Sequence, residues 1–322
     1  MDLIYTNAKF VDLGVLKEHS LDLSYGTEEN DFELIIGAGD PALAYGSAIY
    51  IEGTEYGGII GGRKSSTTGE TVTYYGRTWH GVLNSKILQP GSGANYLTVS
   101  GDANTVLKSL IARVSLSKLF KVDTTTAGVD ISSYQFARYC KAYDGICAML
   151  ASVGAKLKMV WQDGAVRLYA EPVTDYTDDP IDSDEAVLTV EQHEHKVNHL
   201  ICLGQGELAA RTVVHLYVNN KGKVVSNQYY SGLDEIVETY ENTAASTADE
   251  LKKEGTARLI ELRDNDRAEI SVSDGTDRVY DIGDIVGAAD ITSGVSATAA
   301  VTQKIVKINN GVVTVEYKTG SK

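Results

Sequence analysis

Turn signals fall every eight to twelve residues or so along the first ninety positions, and that spacing leaves room for short strands and little else. Leu3-Ile4-Tyr5, Phe10-Val11, Leu21-Asp22-Leu23 and Phe32-Glu33-Leu34-Ile35-Ile36 are β-prone runs divided by polar or glycine segments. Residues 47–52, 57–62 and 71–75 keep the spacing, and Ser65-Ser66-Thr67-Thr68-Gly69 reads as an exposed hairpin loop. Only four prolines occur in 322 residues, so few strands are forced to break. The 19 tyrosines, against four Phe and two Trp, suit half-covered strand faces whose hydroxyls stay wet. The pattern predicts a small antiparallel β-barrel over residues 1–92.

The periodicity changes after Pro90-Gly91-Ser92-Gly93. Residues 102–114 carry apolar side chains at helical spacing (Val106, Leu107, Leu110, Ile111, Val114), with Asp102 placed to cap. A second helix is expected from about Ser133 to Val153, capped by Ser132 or Ser133 and ended by Gly154. Residues 156–161 and 165–170 alternate on either side of Asp163-Gly164, a hairpin signal. Two helices and a hairpin make an α+β module over 93–172. Residues 171–194 hold nine acidic groups and no Lys or Arg, so 173–194 reads as a solvated connector. Strand patterns resume over 195–322 and point to a second barrel, with a helical insertion at about 234–266. Asn219-Asn220-Lys221-Gly222 and Asn309-Asn310-Gly311 mark two of its turns. The expected fold class is α+β, mainly β: two small barrels, a module between them, and a possible duplication that no residue-level repeat supports.

Charge is spread unevenly. The net value is −15, of which residues 1–170 carry −2 and residues 171–322 carry −13. An acidic surface repels phosphates and disfavours nucleic-acid binding. It serves solubility in the plain reading and a non-sticking wall for DNA in the sharper one. No apolar run reaches the roughly 18–20 residues that span a bilayer, and Met1-Asp2-Leu3-Ile4-Tyr5 lacks a secretory signal's basic region. Cys140, Cys147 and Cys202 form no metal or redox motif. Cys140 and Cys147, seven apart, read as core residues on one helix face.

Motifs that carry chemistry are scarce. His193, His195 and His199, with Glu191 and Glu194 among them, are the one cluster with metal-ligand character. His193 and His195 would share a strand face, but the helical His-Glu-x-x-His arrangement is missing. Rim histidines beside an apolar strand explain the same residues. Gly57-Gly58, Gly61-Gly62 and Gly204-Gln205-Gly206 precede no helix in phosphate-binding register, and no Gly-x-Ser-x-Gly elbow occurs. No catalytic, cofactor or metal residues are assigned, and no enzyme activity is expected.

Four stretches look like a known family. They are Asn30-Asp31-Phe32-Glu33-Leu34; residues 49–60 (Ile-Tyr-Ile-Glu-Gly-Thr-Glu-Tyr-Gly-Gly-Ile-Ile) followed by Gly76-Arg77-Thr78-Trp79-His80-Gly81; residues 198–208 with Arg211; and Tyr280-Asp281-Ile282-Gly283-Asp284-Ile285-Val286-Gly287, continued by Lys304-Ile305-Val306-Lys307-Ile308. In order and spacing they resemble the baseplate-hub or tail-tip proteins of phages of Gram-positive bacteria, prophage particles and tailocins. The resemblance implies a homotrimer in the virion, assembled in the host cytoplasm. Two barrels per subunit would form a pseudo-sixfold ring joining a hexameric tail tube or distal tail protein to a threefold spike or tip. The tape measure protein is a further implied partner, and DNA would pass through without specific binding. Many relatives extend into a lytic or host-binding region; this chain ends at Lys322, so that activity is expected on another protein. Two alternatives stay open: a metal-dependent hydrolase using His193, His195 and His199, and a receptor- or carbohydrate-binding tail module.

Overall fold

The alternating runs at the N-terminus form strands paired antiparallel throughout, except Phe10-Val11, where Phe10 closes a turn on Asn7 at φ 63° and the strand begins only at Asp12. The computed structural model describes residues 1–182, 187–191, 196–245, 247–263, 267–272, 278–290, 292–309 and 311–320. The first unit holds β1 (Leu3–Thr6), β2 (Asp12–Leu16), β3 (His19–Gly26), β4 (Asp31–Gly37), β5 (Ala48–Tyr50), β6 (Gly57–Ser65) and β7 (Thr71–Thr78). A short helix, α1 (Trp79–Asn84), follows; Thr78 caps it by accepting from the Gly81 N–H. The glycine doublets of β6 serve packing. A Cβ at Gly58 would lie 2.3 Å from the Arg77 carbonyl and 2.8 Å from the Phe32 ring.

The second unit contains β8 (Ile87–Leu88), β9 (Thr98–Asp102), α2 (Ala103–Arg113), β10 (Phe120–Val122), β11 (Asp130–Gln135), β12 (Cys140–Lys141), α3 (Ala142–Ala151), β13 (Ala155–Gln162) and β14 (Ala165–Pro172). Asp102 caps α2 through the Thr105 N–H, as its position predicts. The β13–β14 hairpin pairs Gln162 with Ala165, and Asp163 and Gly164 both take positive φ, as a two-residue turn needs. The second helix is shorter than expected. It begins at Ala142 behind Lys141, which makes no side-chain cap, while residues 130–135 pair as a strand with β9. Tyr139 sits at φ 55°, which ends any helical path. Gly145 then lets the chain fold back, since a Cβ there would meet the Cys140 sulfur at 2.8 Å and Phe136 at 3.2 Å. Cys140 and Cys147 therefore share no helix face. Burial pushes the Cys147 thiol up to about 12, in keeping with a core residue.

The remainder comprises β15 (Asp175–Asp182), β16 (Val187–Glu191), β17 (His199–Leu203), β18 (Val213–Val218), β19 (Val224–Val225), β20 (Val237–Glu241), α4 (Ala248–Arg263), β21 (Arg267–Val272), β22 (Ile285–Asp290), β23 (Val295–Asn309) and β24 (Val312–Gly320). The acidic stretch is thus no loose connector. β15 pairs in parallel with β22, and β16 pairs with β21. Tyr176 and Ile181 turn inward against Tyr280, Val286, Ala288, Val301 and Tyr317, while Asp175, Asp178 and Asp179 stay outside. The insertion also exceeds a helix: β17 to β20 form their own four-stranded sheet, with α4 packed on Leu200, Cys202 and Leu216.

A 13-stranded sheet runs β16-β21-β24-β23-β3-β4-β7-β6-β5-β1-β2, with β22 added to β23 and β15 to β22. Its two path ends, β16 and β2, do not pair, and no closed barrel is formed among the described residues. The expected pair of barrels gives way to one sheet because β23 is long enough to serve two neighbours. Residues 295–300 bond to β22, and residues 303–309 bond to β3. Val306 and Ile308 thereby enter the core of Leu21, Leu23, Phe32 and Leu34. The first and last parts of the chain share that core.

Candidate functional site

Two of the four stretches that carry the resemblance, the one holding Glu55 and the one holding Asp281, Asp284 and Lys304, converge on one buried cluster of charges. The turn after β5 supplies Glu55. It is shaped by Thr54, whose hydroxyl donates to the Ile51 carbonyl, and pinned to the hairpin by Gly53 N–H to Trp161 O (3.0 Å) and Trp161 N–H to Thr54 O (2.8 Å). β23 supplies Lys304, which has no exposed surface and bonds Glu55. Its ammonium also lies 5.7 Å from the ring centroids of Tyr25 and Tyr317.

The turn before β22 supplies Asp281 and Asp284. Gly283 at φ 99° lets it close, and the fully buried Asp284 carboxylate accepts from the Asp281 and Thr174 N–H groups, each at 2.9 Å. β13 inserts Lys156, 2.7 Å from Asp284 and 2.9 Å from Asp281, and Lys158, 2.6 Å from Asp281. Three parts of the chain thus meet in a network in which each buried charge has an opposite neighbour, the condition for burying charge at all.

The protonation states follow. Burial works most strongly against the Lys304 ammonium, but Glu55 together with Tyr317 and Tyr56 outweighs it and holds the pKa above the usual lysine range. Burial likewise disfavours the Glu55 carboxylate, yet Lys304 and His80 bring its pKa below normal. His80, buried and stacked on Tyr25 at 4.3 Å, is pushed down to about 4, chiefly by desolvation. Lys304, Glu55, Asp281 and Asp284 lay within the recognised motifs but received no role from the sequence. The clue was Asp-x-Gly-Asp beside a strand of alternating lysines. Nothing in it says that the two meet.

A second cluster lies in the insertion. His199 opens β17; its Nδ1 lies 2.8 Å from Glu235 Oε1 and its Nε2 lies 2.8 Å from His215 Nδ1. Tyr217 stacks on its ring at 4.3 Å. Both nitrogens of His199 are engaged, and the ring is buried at the rim of the small sheet. His193 and His195 lie outside the described residues. Among the described residues no group of three or more His, Cys, Asp or Glu side chains is arranged to hold a metal ion. Likewise, no helix among them is long and apolar enough to cross a membrane.

No protein-family model matches the sequence, and no curated protein matches it. Solved structures do resemble it over its whole length. The tail protein from Neisseria meningitidis MC58 has a TM-score of 0.58 at 15% identity, covering 100% of this chain and 96% of that one. The 43 kDa tail protein of prophage MuSo2 from Shewanella oneidensis gives 0.58 at 13%, with 100% and 98% covered. The prophage tail protein gp18 from Listeria monocytogenes EGD-e gives 0.55 at 12%, with 100% and 95% covered. At these identities the likeness is one of fold. The chain has the fold of phage tail proteins, and that fold assigns no class of host.

Proposed function

We propose that this chain is a structural hub of a phage-like tail tip, working by shape and assembly without catalysis. The observation that carries the reading is the end-to-end match of its fold to tail proteins from three bacteria. The buried network supports it physically. A part that joins two larger bodies must transmit load without its own modules shearing, and Lys304, Glu55, Asp281 and Lys156 tie three modules into one body.

The assembly is a homotrimer in the virion. It couples a hexameric tube to a threefold tip and leaves a channel for DNA or tape measure protein, by the matching of repeated surfaces under closed symmetry. Three copies carry a net charge of −45, and part of the acidic excess lines the bore so that phosphates pass without sticking. Only charges within about 8 Å of the passing strand would count at physiological salt.

Two experiments test this. Mass measurement of the purified protein is expected to give three copies; a protein that stays monomeric and joins no tube protein contradicts the reading. Incubation with peptidoglycan is expected to release nothing. Turnover that disappears on His193→Ala or His195→Ala would make the hydrolase alternative the better one.

A further inference from the structure

The insertion sheet presents a loop built to protrude. Between β19 and β20 the chain runs through residues 226–236 and exposes Leu233 completely (101%) and Tyr229 by half, with Tyr230 set edge-on to Tyr229 at 5.0 Å. Such apolar exposure in a floppy loop would cost little and mean little. This loop is held. The buried Asn198 side chain donates to the Asp234 carbonyl at 2.7 Å and accepts from the Ile236 N–H at 3.1 Å. Glu235, fixed by His199 at 2.8 Å, accepts also from the Gln228 amide at 3.0 Å. Two buried side chains, Asn198 just before β17 and His199 at its start, therefore preset the loop that carries Leu233, which lowers the entropy lost on binding.

On the first unit the β6–β7 ladder bulges between Ile60 and Gly62, and beside it lies a cleft of about 260 Å³. Leu43, Ile60 and Tyr74 form its buried apolar floor, with the Leu43 N–H donating to the Tyr74 hydroxyl at 3.2 Å. Tyr45, 77% exposed, stands as a wall, and Arg63 lines the mouth. Arg63 makes no ion pair among the described residues, and neither does Asp234, the exposed neighbour of Leu233.

We propose that the 226–236 loop of one copy docks in this cleft of the next. Leu233 fills the apolar floor and the Asp234 carboxylate meets the Arg63 guanidinium. The proposal rests on the assembly reading above and adds which surfaces meet. An apolar knob beside an unpaired carboxylate and an apolar cleft beside an unpaired guanidinium are complementary in both terms. Because the two surfaces differ, the contact is head to tail, the kind that closes a ring. Leu233 would be its central anchor and Tyr229 its aromatic flank.

The test is association measured by light scattering on the full chain, with thermal melts as a folding control, since all of the substituted side chains are exposed. Leu233→Asp and the cleft-filling Ala44→Trp are each expected to weaken assembly at least tenfold. Arg63→Asp and Asp234→Arg alone should each weaken it, and the two together should restore it. With dissolved oxygen and a copper catalyst as oxidant, Leu233→Cys with Ala44→Cys should form disulfide-linked oligomers that neither single variant forms. A wild-type trimer indifferent to all of these overturns the contact and leaves the hub reading standing. A trimer that survives Leu233→Asp but loses the tube protein assigns the loop to that partner and overturns the second copy as occupant. A wild-type chain monomeric at every concentration overturns both.

Discussion

Lys304 is an ammonium with no exposed surface, and its neighbours decide whether that stabilises or destabilises the fold. With Glu55 present the pair is compensated; with Glu55 gone the nearest carboxylate is Asp281 at 3.9 Å, already shared by Lys156 and Lys158. Glu55→Gln or Lys304→Met is therefore expected to cost about 3–5 kcal/mol in a denaturant titration, whereas Lys304→Met with Glu55→Leu should recover much of it. His80 gives the acid limb of stability its shape. Its pKa of about 4 lies below the ordinary value near 6.5, so between those values the unfolded chain binds a proton that the folded chain refuses. Stability is untouched by this group above pH 6.5 and falls as pH drops through the window, by up to about 3 kcal/mol. His80→Phe, which keeps a ring on Tyr25, should flatten that slope. Below about pH 4.3 Glu55 and Asp281, both lowered, begin to lose their own contribution, and the variant should unfold there as the parent does.

At the scale of elements, what could be read in advance was what local chemistry decides. α2 begins where Asp102 says it must, and Asp102→Ala should cost about 1–2 kcal/mol in the same titration. The upper end is expected, because its other oxygen also accepts from Ala127 at 2.8 Å. The Asp163-Gly164 turn was equally plain, as was the pairing of Asn309 with Val312, and Gly164 and Gly311 both take positive φ. α3 was misplaced at its start because Phe136, Cys140 and Tyr143 happen to fit a helical period. What breaks it is Tyr139 at φ 55°, with Phe136 and Cys140 packed back against Gly145 of the helix itself, and no window of sequence shows that. β15 was hidden for another reason. Its exposed aspartates and Pro180 look like a linker, yet they are what an edge strand needs to refuse unwanted pairing. Its partner β22 lies about a hundred residues on.

For the whole molecule, strand content was legible, but the way the strands join was not. Each half of the chain looked able to close on itself. Which partner a strand takes depends on long-range register, and β23 resolves it by bonding β22 with one half and β3 with the other. The candidate site was less legible still, since buried charges look like surface charges until their counterparts are known. The central claim is that this single tied body is one third of a ring at a tail tip. The most direct test is native mass measurement of the purified chain, alone and with its tube protein. Three copies alone, and three bound to a hexameric ring of tube protein, are the expected result. A folded monomer that binds no tube protein at any concentration would contradict it.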